Sequence, residues 1–265
     1  MSQYTAISKS RHREAGVSVS DFDFAAKQAV VPVTAQELSY VVPTMPLVFV
    51  PRWQDEGLQL SALQSLTPGS NVYVHLNGRW IGGYRPAWYR AHPFQLAIDE
   101  GSNRQAVCID EASSAFHADS LDGDKPLFNA AGEPSDYLKT VMQFLQQLQD
   151  AQRNTNKLVD ELNDAGVLVP WAIELKCKDD AEHALQGIYH VSESKLRALS
   201  DETLGALTRS GALSLAYAQL ISEHRIHGLL KLHDLRNLSS QPSVQDAEVD
   251  LDALFGDDDD GNLSF

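Results

Sequence analysis

Prolines stand at positions 32, 43, 46, 51, 68, 86 and 93, and no other feature limits this chain's architecture so tightly. A proline cannot donate to a strand ladder, so it confines strands to edges, ends and bulges. Between the prolines run VVPV, PLVFV and NVYVHL, short β-branched runs bounded by Pro, Gly or Asn, and QAVCID repeats the pattern. Residues 30 to 110 therefore read as short strands and turns, with edges, bulges or a small barrel. In NVYVHLNGRWIGGY two strand-like runs flank Asn77-Gly78. That dipeptide suits a type I′ hairpin, because both central residues need positive φ. Alternation puts Val72, Val74 and Leu76 on one face of the first arm, with Tyr73 and His75 on the other.

After a loop-like stretch over 111–135 the period changes. Leu138, Val141, Met142, Leu145 and Leu148 recur at helical spacing, and Leu158, Val159 and Leu162 resume it. Ser135 is placed to cap this helix and Gly166 to stop it. The polar stretch between them, QDAQRNTN, is either an exposed middle or a break. PWAIELKC and QGIYHVS predict two more strands. Short helices follow, with Ser194 and Ser200 as caps, and GALSLAYAQLIS and HRIHGLLKLHDLRNL are apolar on one side. The fold expected is α+β: a proline-rich antiparallel β body, a long helix, two further strands and a C-terminal helical layer. Strands from both sides of the long helix can pair in one sheet. Three regions are expected: a flexible arm over 1–29, one α+β domain over 30–240, and a disordered acidic tail over 241–265.

The 265 residues carry a formal charge of −15. That balance argues against a broad phosphate-binding face, so no nucleic-acid partner is expected. The tail holds Asp246, Glu248, Asp250, Asp252 and Asp257 to Asp260 without a Lys or Arg. No apolar run approaches the roughly 20 residues that span a bilayer. The start, MSQYTAISKSRHREAG, lacks the apolar core of a secretory signal, so a cytoplasmic protein is expected. Cys108 and Cys177 are the only cysteines, too few for a disulfide framework or a four-thiolate zinc site. There is no GxSxG, Walker loop or GxGxxG, and no cofactor is implied.

Several segments taken in order resemble the SapC family of bacterial proteins. YVVPTMPLVFV is similar to its opening strand. LTPGSNVYVHLNGRWIGGYRPAWYRAHPFQLA is similar to its central signature, PLFNAAGEPSDYL to its link into a helix, and SGALSLAYAQLISEHRIHGLLKL to its terminal helices. The resemblance runs from about 30 to 238 and leaves out the arm and the tail. It implies little chemistry, since no catalytic residues are established for the family. It does imply a link to surface-layer or envelope biogenesis, because the family is named from a surface-layer locus. The transporter label sometimes given to members does not suit a chain with no membrane-crossing segment.

The segment Arg79–Phe94 is the richest in binding chemistry. Trp80, Tyr84, Trp88 and Phe94 stand beside Arg85, Arg90 and His92, and aromatics and arginines carry most binding energy at interfaces. The functional account is a pocket or groove for an anionic or peptide ligand. The plainer account is that Trp80, Trp88 and Phe94 fill the β core while Arg85 and Arg90 pair with acids. In the tail, Leu254, Phe255 and Phe265 lie among dense acids, a pattern suited to docking on a basic groove. His224 and His227 share a helix face, but a third ligand is not evident, so no metal site is expected. Asp119, Asp122 and Asp124 read as a solvated loop. The leading expectation is a non-enzymatic protein that binds a protein or peptide partner through the arginine/aromatic surface and the tail. The alternative is an enzyme, or its accessory subunit, whose small anionic substrate is held by Arg85 and Arg90 with His92 as acid or base.

Overall fold

The computed structural model describes residues 4–18, 21–52, 56–99, 104–176 and 182–239. Among these residues, thirteen short strands carry the β body. β1 (Tyr4–Ala6), β2 (Gly16–Val17), β3 (Val30–Pro32), β4 (Leu47–Pro51), β5 (Leu58–Leu63), β6 (Phe94–Asp99) and β7 (Arg104–Asp110) come first. Then follow β8 (Phe116–His117), β9 (Lys125–Pro126), β10 (Leu168–Pro170), β11 (Ile173–Lys176), β12 (Glu182–Leu185) and β13 (Tyr189–Val191). The helices are α1 (Lys9–His12), α2 (Leu38–Val41), α3 (Ala87–Ala91), α4 (Asp136–Asp164), α5 (Glu193–Arg197), α6 (Asp201–Ser210), α7 (Ala212–Ser222) and α8 (Ile226–Ser239). The class is α+β, as the sequence predicts.

The central sheet has the order β10-β13-β4-β5-β3, and its pairings are antiparallel. Tyr189 of β13 lies opposite Phe49 of β4, so strands from both sides of the long helix do share one sheet. A second sheet has the order β1-β7-β6, a third β8-β2-β9, and β11 pairs with β12. The prolines sit as expected of residues that cannot donate: Pro32 and Pro51 end their strands, and Pro93 directly precedes β6.

Two hydrophobic clusters result among the described residues. The larger gathers Phe49, Leu60 and Leu63 of the central sheet with Leu207, Leu215 and Leu229 of the helical layer. The smaller gathers Phe94 and Ile109 of the second sheet with Ala87 and Ala91 of α3. α4 serves both. Its Leu138, Leu145 and Leu148 enter the smaller cluster, and its Val159 and Leu162 enter the larger. At 29 residues the helix is about 44 Å long, enough to bridge the two. Ser135 caps it by accepting the Leu138 N–H at 3.1 Å, and Gly166 follows its end with φ +70°. The helix is unbroken through QDAQRNTN. Thr155 in that stretch is buried, accepting the Ala35 N–H at 2.8 Å and donating to the Ala151 carbonyl at 2.8 Å.

Three expectations need correction. The segment read as a loose arm is built into the fold: β1 pairs with β7, and β2 lies between β8 and β9. His12, fully buried, accepts the Ser8 N–H on Nδ1 at 3.2 Å and meets Glu111 through Nε2 at 3.0 Å. Second, the Asn77-Gly78 turn exists, with Gly78 at φ +78°, but its arms form a single bridge between Val74 and Trp80. The Asn71 side chain competes with a ladder: Oδ1 accepts the Tyr73 N–H at 3.0 Å, and Nδ2 donates to Gln64 Oε1 at 2.9 Å and the Ala25 carbonyl at 3.1 Å. Leu76 consequently points outward, 60% exposed. Third, α5 is capped by Ser192, whose Oγ accepts the Lys195 N–H, rather than by Ser194. Ser200 caps α6 as expected.

Candidate functional site

α3 is a five-residue helix presented by a rigid base. Ala87, Tyr89 and Ala91 are buried; Trp88 and Arg90 are exposed. The base is Glu37, a buried carboxylate in the capping box of the turn that begins at Thr34. Its Oε2 accepts the Thr34 N–H at 2.9 Å and the Thr34 hydroxyl at 3.0 Å. Its Oε1 accepts the Ala87 N–H at 2.7 Å and the Tyr84 hydroxyl at 3.1 Å. One carboxylate thereby fixes both the start of α3 and the ring before it. Burial, and then the Glu37 charge, push the Tyr84 hydroxyl up to about 12. Tyr89, on the inner side, donates to Gln64 Oε1.

The exposed side of this segment is a ladder of rings and guanidinium groups. Tyr40, 62% exposed, stacks on Tyr84 with centroids 5.4 Å apart. The Arg90 guanidinium lies 5.9 Å from the Tyr84 ring centroid and 5.5 Å from that of Phe144 on α4, and it donates to the Tyr84 oxygen at 3.3 Å. Arg85 lies 5.6 Å from the Phe22 centroid. Neither arginine forms an ion pair among the described residues.

The other candidates divide between core and cleft. Trp80 is partly buried and packs on Phe22, Tyr73 and Tyr89, so it belongs to the larger cluster. Phe94 is buried against Tyr137. Trp88, 46% exposed, opens instead onto a cleft of 740 Å³ beside α4. His92 and Phe94 also reach this cleft, as do Phe24 and Gln28 from the N-terminal segment. Arg85, Arg90 and Tyr84 do not line it. The tail residues Leu254, Phe255 and Phe265 lie outside the described residues, as does Cys177.

His92 stacks on Phe24 with ring centroids 3.7 Å apart, and its Nε2 meets the Ser113 hydroxyl at 2.8 Å. Burial lowers its pKa to about 4, against an opposing pull from Asp110. At neutral pH the ring is uncharged and a weak base, far from the tuning a general acid or base needs. The structure also separates it from both arginines, so the three do not converge on one substrate position.

Sequence reasoning missed the far wall of the cleft. Gln149, Gln152, Arg153 and Asn156 line it from one stripe of α4, spaced three, one and three residues apart. They are four of the seven polar letters of QDAQRNTN, and polar residues on the inward stripe of an otherwise apolar-faced helix were the available signal. The histidine pair is exposed, His224 in the 3-10 turn Glu223–Arg225 and His227 at the start of α8; Nδ1 of His224 meets the Ile221 carbonyl and Nδ1 of His227 meets the His224 carbonyl. Glu223 is engaged by His190 at 2.9 Å. Among the described residues no cluster of three or more His, Cys, Asp or Glu could hold a metal ion. Asp124 bonds His117 Nδ1 and the Leu121 N–H, each at 2.7 Å. No helix among the described residues is long and apolar enough to cross a membrane.

The family model described as SapC matches residues 7–229, most of the chain and including much of the segment that sequence reading set apart as an arm. No curated protein matches the chain, and no solved structure does.

Proposed function

The chain belongs to the SapC family, and from that premise we propose that it is a non-enzymatic binding protein for a protein or peptide partner. The partner rests on the arginine/aromatic face around Arg85 and Arg90, and the acidic-hydrophobic tail is a second docking element through Leu254, Phe255 and Phe265. One observation carries the reading. In a chain with a net charge of −15, two exposed guanidinium groups stand over aromatic rings without an internal carboxylate among the described residues. Planar forks held in this way suit the carboxylates of another chain, and the exposed Tyr40 supplies apolar area beside them. The same net charge disfavours nucleic acid as the partner. The proposal places the protein in the cytoplasm, with a partner from surface-layer or envelope biogenesis.

The test is recovery of partners from native lysate, read by mass spectrometry. Three baits are used: the intact chain, Arg85→Ala/Arg90→Ala, and Leu254→Ser/Phe255→Ser/Phe265→Ser. A partner held by the intact chain and lost with the arginine pair supports the arginine face. One lost only with the tail variant moves the site to the tail. Nothing recovered above background by the intact chain overturns the reading.

A further inference from the structure

Four consecutive residues of β6, Phe94, Gln95, Leu96 and Ala97, line the 740 Å³ cleft. Side chains of a strand alternate between its faces, so a consecutive run lining one cavity means that the cavity meets the strand's edge. β6 pairs only with β7 among the described residues, which makes it the outer strand of its sheet. The Asp110 N–H donates to the Pro93 carbonyl at 2.9 Å, which fixes the phase of the ladder. Alternation then directs the peptide groups of Gln95 and Ala97 to β7 and those of Phe94 and Leu96 outward. The outward groups find no partner among the described residues.

The facing wall is unusual in its chemistry. α4 offers the carboxamides of Gln149, Gln152 and Asn156, and Gln28 adds another. A carboxamide carries both donor and acceptor and matches a peptide bond in pattern and in neutrality. Several of these groups keep capacity to spare: Gln152 Nε2 donates to Asn156 Oδ1 at 3.0 Å, and Gln149 Oε1 accepts from Gln105 at 2.6 Å. That leaves Gln152 Oε1, Asn156 Nδ2 and Gln149 Nε2 without a partner among the described residues. Among the described residues no carboxylate lines the cleft. The one formal charge among its described residues, Arg153, is paired with Asp150 at 3.4 Å. The described lining is therefore neutral and complements an uncharged main chain better than an ionic ligand. Trp88, Phe24 and Leu148 supply an apolar side-chain site at the same cleft.

We propose that this cleft binds an extended peptide, which adds as a strand to the open edge of β6 while the α4 carboxamides bond its other edge. The inference rests on the peptide-binding reading above and gives it a second, uncharged site. Four strand residues extend about 14 Å, so about four peptide residues are held, with an aliphatic or aromatic side chain directed at Trp88.

The full chain is panned against displayed random heptapeptides, and an enriched peptide is synthesised and N-methylated at each residue in turn. Strand addition predicts that methylation at alternate residues facing β6 weakens binding tenfold or more. Trp88→Ala and Gln152→Ala/Asn156→Ala are each expected to weaken it at least fivefold, while Tyr217→Ala, an exposed aromatic on α7, leaves it unchanged. Thermal melting checks that each variant folds. A flat response to methylation overturns the proposal. Peptides that ignore both cleft variants but fail with Arg85→Ala/Arg90→Ala also overturn it, and they leave the arginine-face reading standing. If no peptide is enriched and a neutral oligosaccharide array binds in a Trp88-dependent way, the cleft is a sugar site and the proposal falls. If neither binds, it falls as well.

Discussion

Arg90 and Trp88 leave the same short helix and reach surroundings of opposite chemistry. Around Arg90, guanidinium groups stand over rings with no internal carboxylate beside them among the described residues. Around Trp88, carboxamides and aromatic edges line a cleft whose one charge among the described residues is already paired. The contrast separates two kinds of recognition on one scaffold. Attraction at the arginine face is long-ranged and weakened by salt. Binding at the cleft depends on hydrogen-bond pattern and shape, which salt hardly touches.

The largest effect is expected where the two surfaces share a support. Glu37→Ala removes the acceptor for Thr34, Tyr84 and Ala87 together. Stranding those buried donors costs about 3 kcal/mol in urea unfolding and disorders both surfaces. A loss below about 1 kcal/mol would show that α3 does not depend on it. Next comes His92, on the cleft side only. Its folded pKa of about 4 lies below the unfolded value of 6.5, so the unfolded chain binds the proton more readily. Stability is whole above pH 6.5 and falls as the pH drops towards 4, by about 1–2 kcal/mol for a half-buried ring. His92→Phe should flatten that part of the pH–stability curve, and coincident curves would remove His92 as its source.

Smaller effects sharpen the contrast. Tyr84→Phe deletes the bond to Glu37 and the contact from Arg90, costing about 1 kcal/mol. It should weaken partner binding at the arginine face and spare peptide binding at the cleft, as titration of both ligands would report. Arg85→Ala/Arg90→Ala should change stability by no more than about 0.5 kcal/mol, since both side chains are exposed. Its signature is the loss of salt dependence in partner binding. Salt dependence that persists unchanged in the variant would locate the electrostatic contact elsewhere.

Period and caps made α4 readable from Leu138 to Leu162, and Ser135 and Gly166 gave its ends within a residue or two. In the central sheet β3 and β4 were readable because their β-branched runs end at prolines, whereas β5, LQLSAL, has no β-branched residue and was not read as a strand. The N-terminal strands of the second and third sheets were not readable either. β1 and β2 have three and two residues, too short for alternation to register, and their pairing is decided by β7, β8 and β9 far along the chain. NVYVHL looked like a strand because propensity ignores side chains that bond their own backbone, as Asn71 does here. At the site, composition singled out Arg79–Phe94 but could not divide it. Whether Trp80 faces the core and Trp88 the cleft depends on Phe22 and α4, neither of which is local to them.

The pairing of β13 with β4 carries a consequence for how the chain is made. The upper flank of β4 is completed late: Ser222 accepts the Leu47 N–H at 2.8 Å, and Gln219 donates to the Leu47 carbonyl from 172 residues away. On a ribosome, β4 and β5 emerge and can pair early, while that flank waits for most of the chain. An apolar strand with one unsatisfied edge is a template for unwanted association. The newborn protein is thus most exposed to misassembly in the interval between synthesis of Val50 and synthesis of Ser222, and the helical layer acts in that respect as the closing seal of the β body.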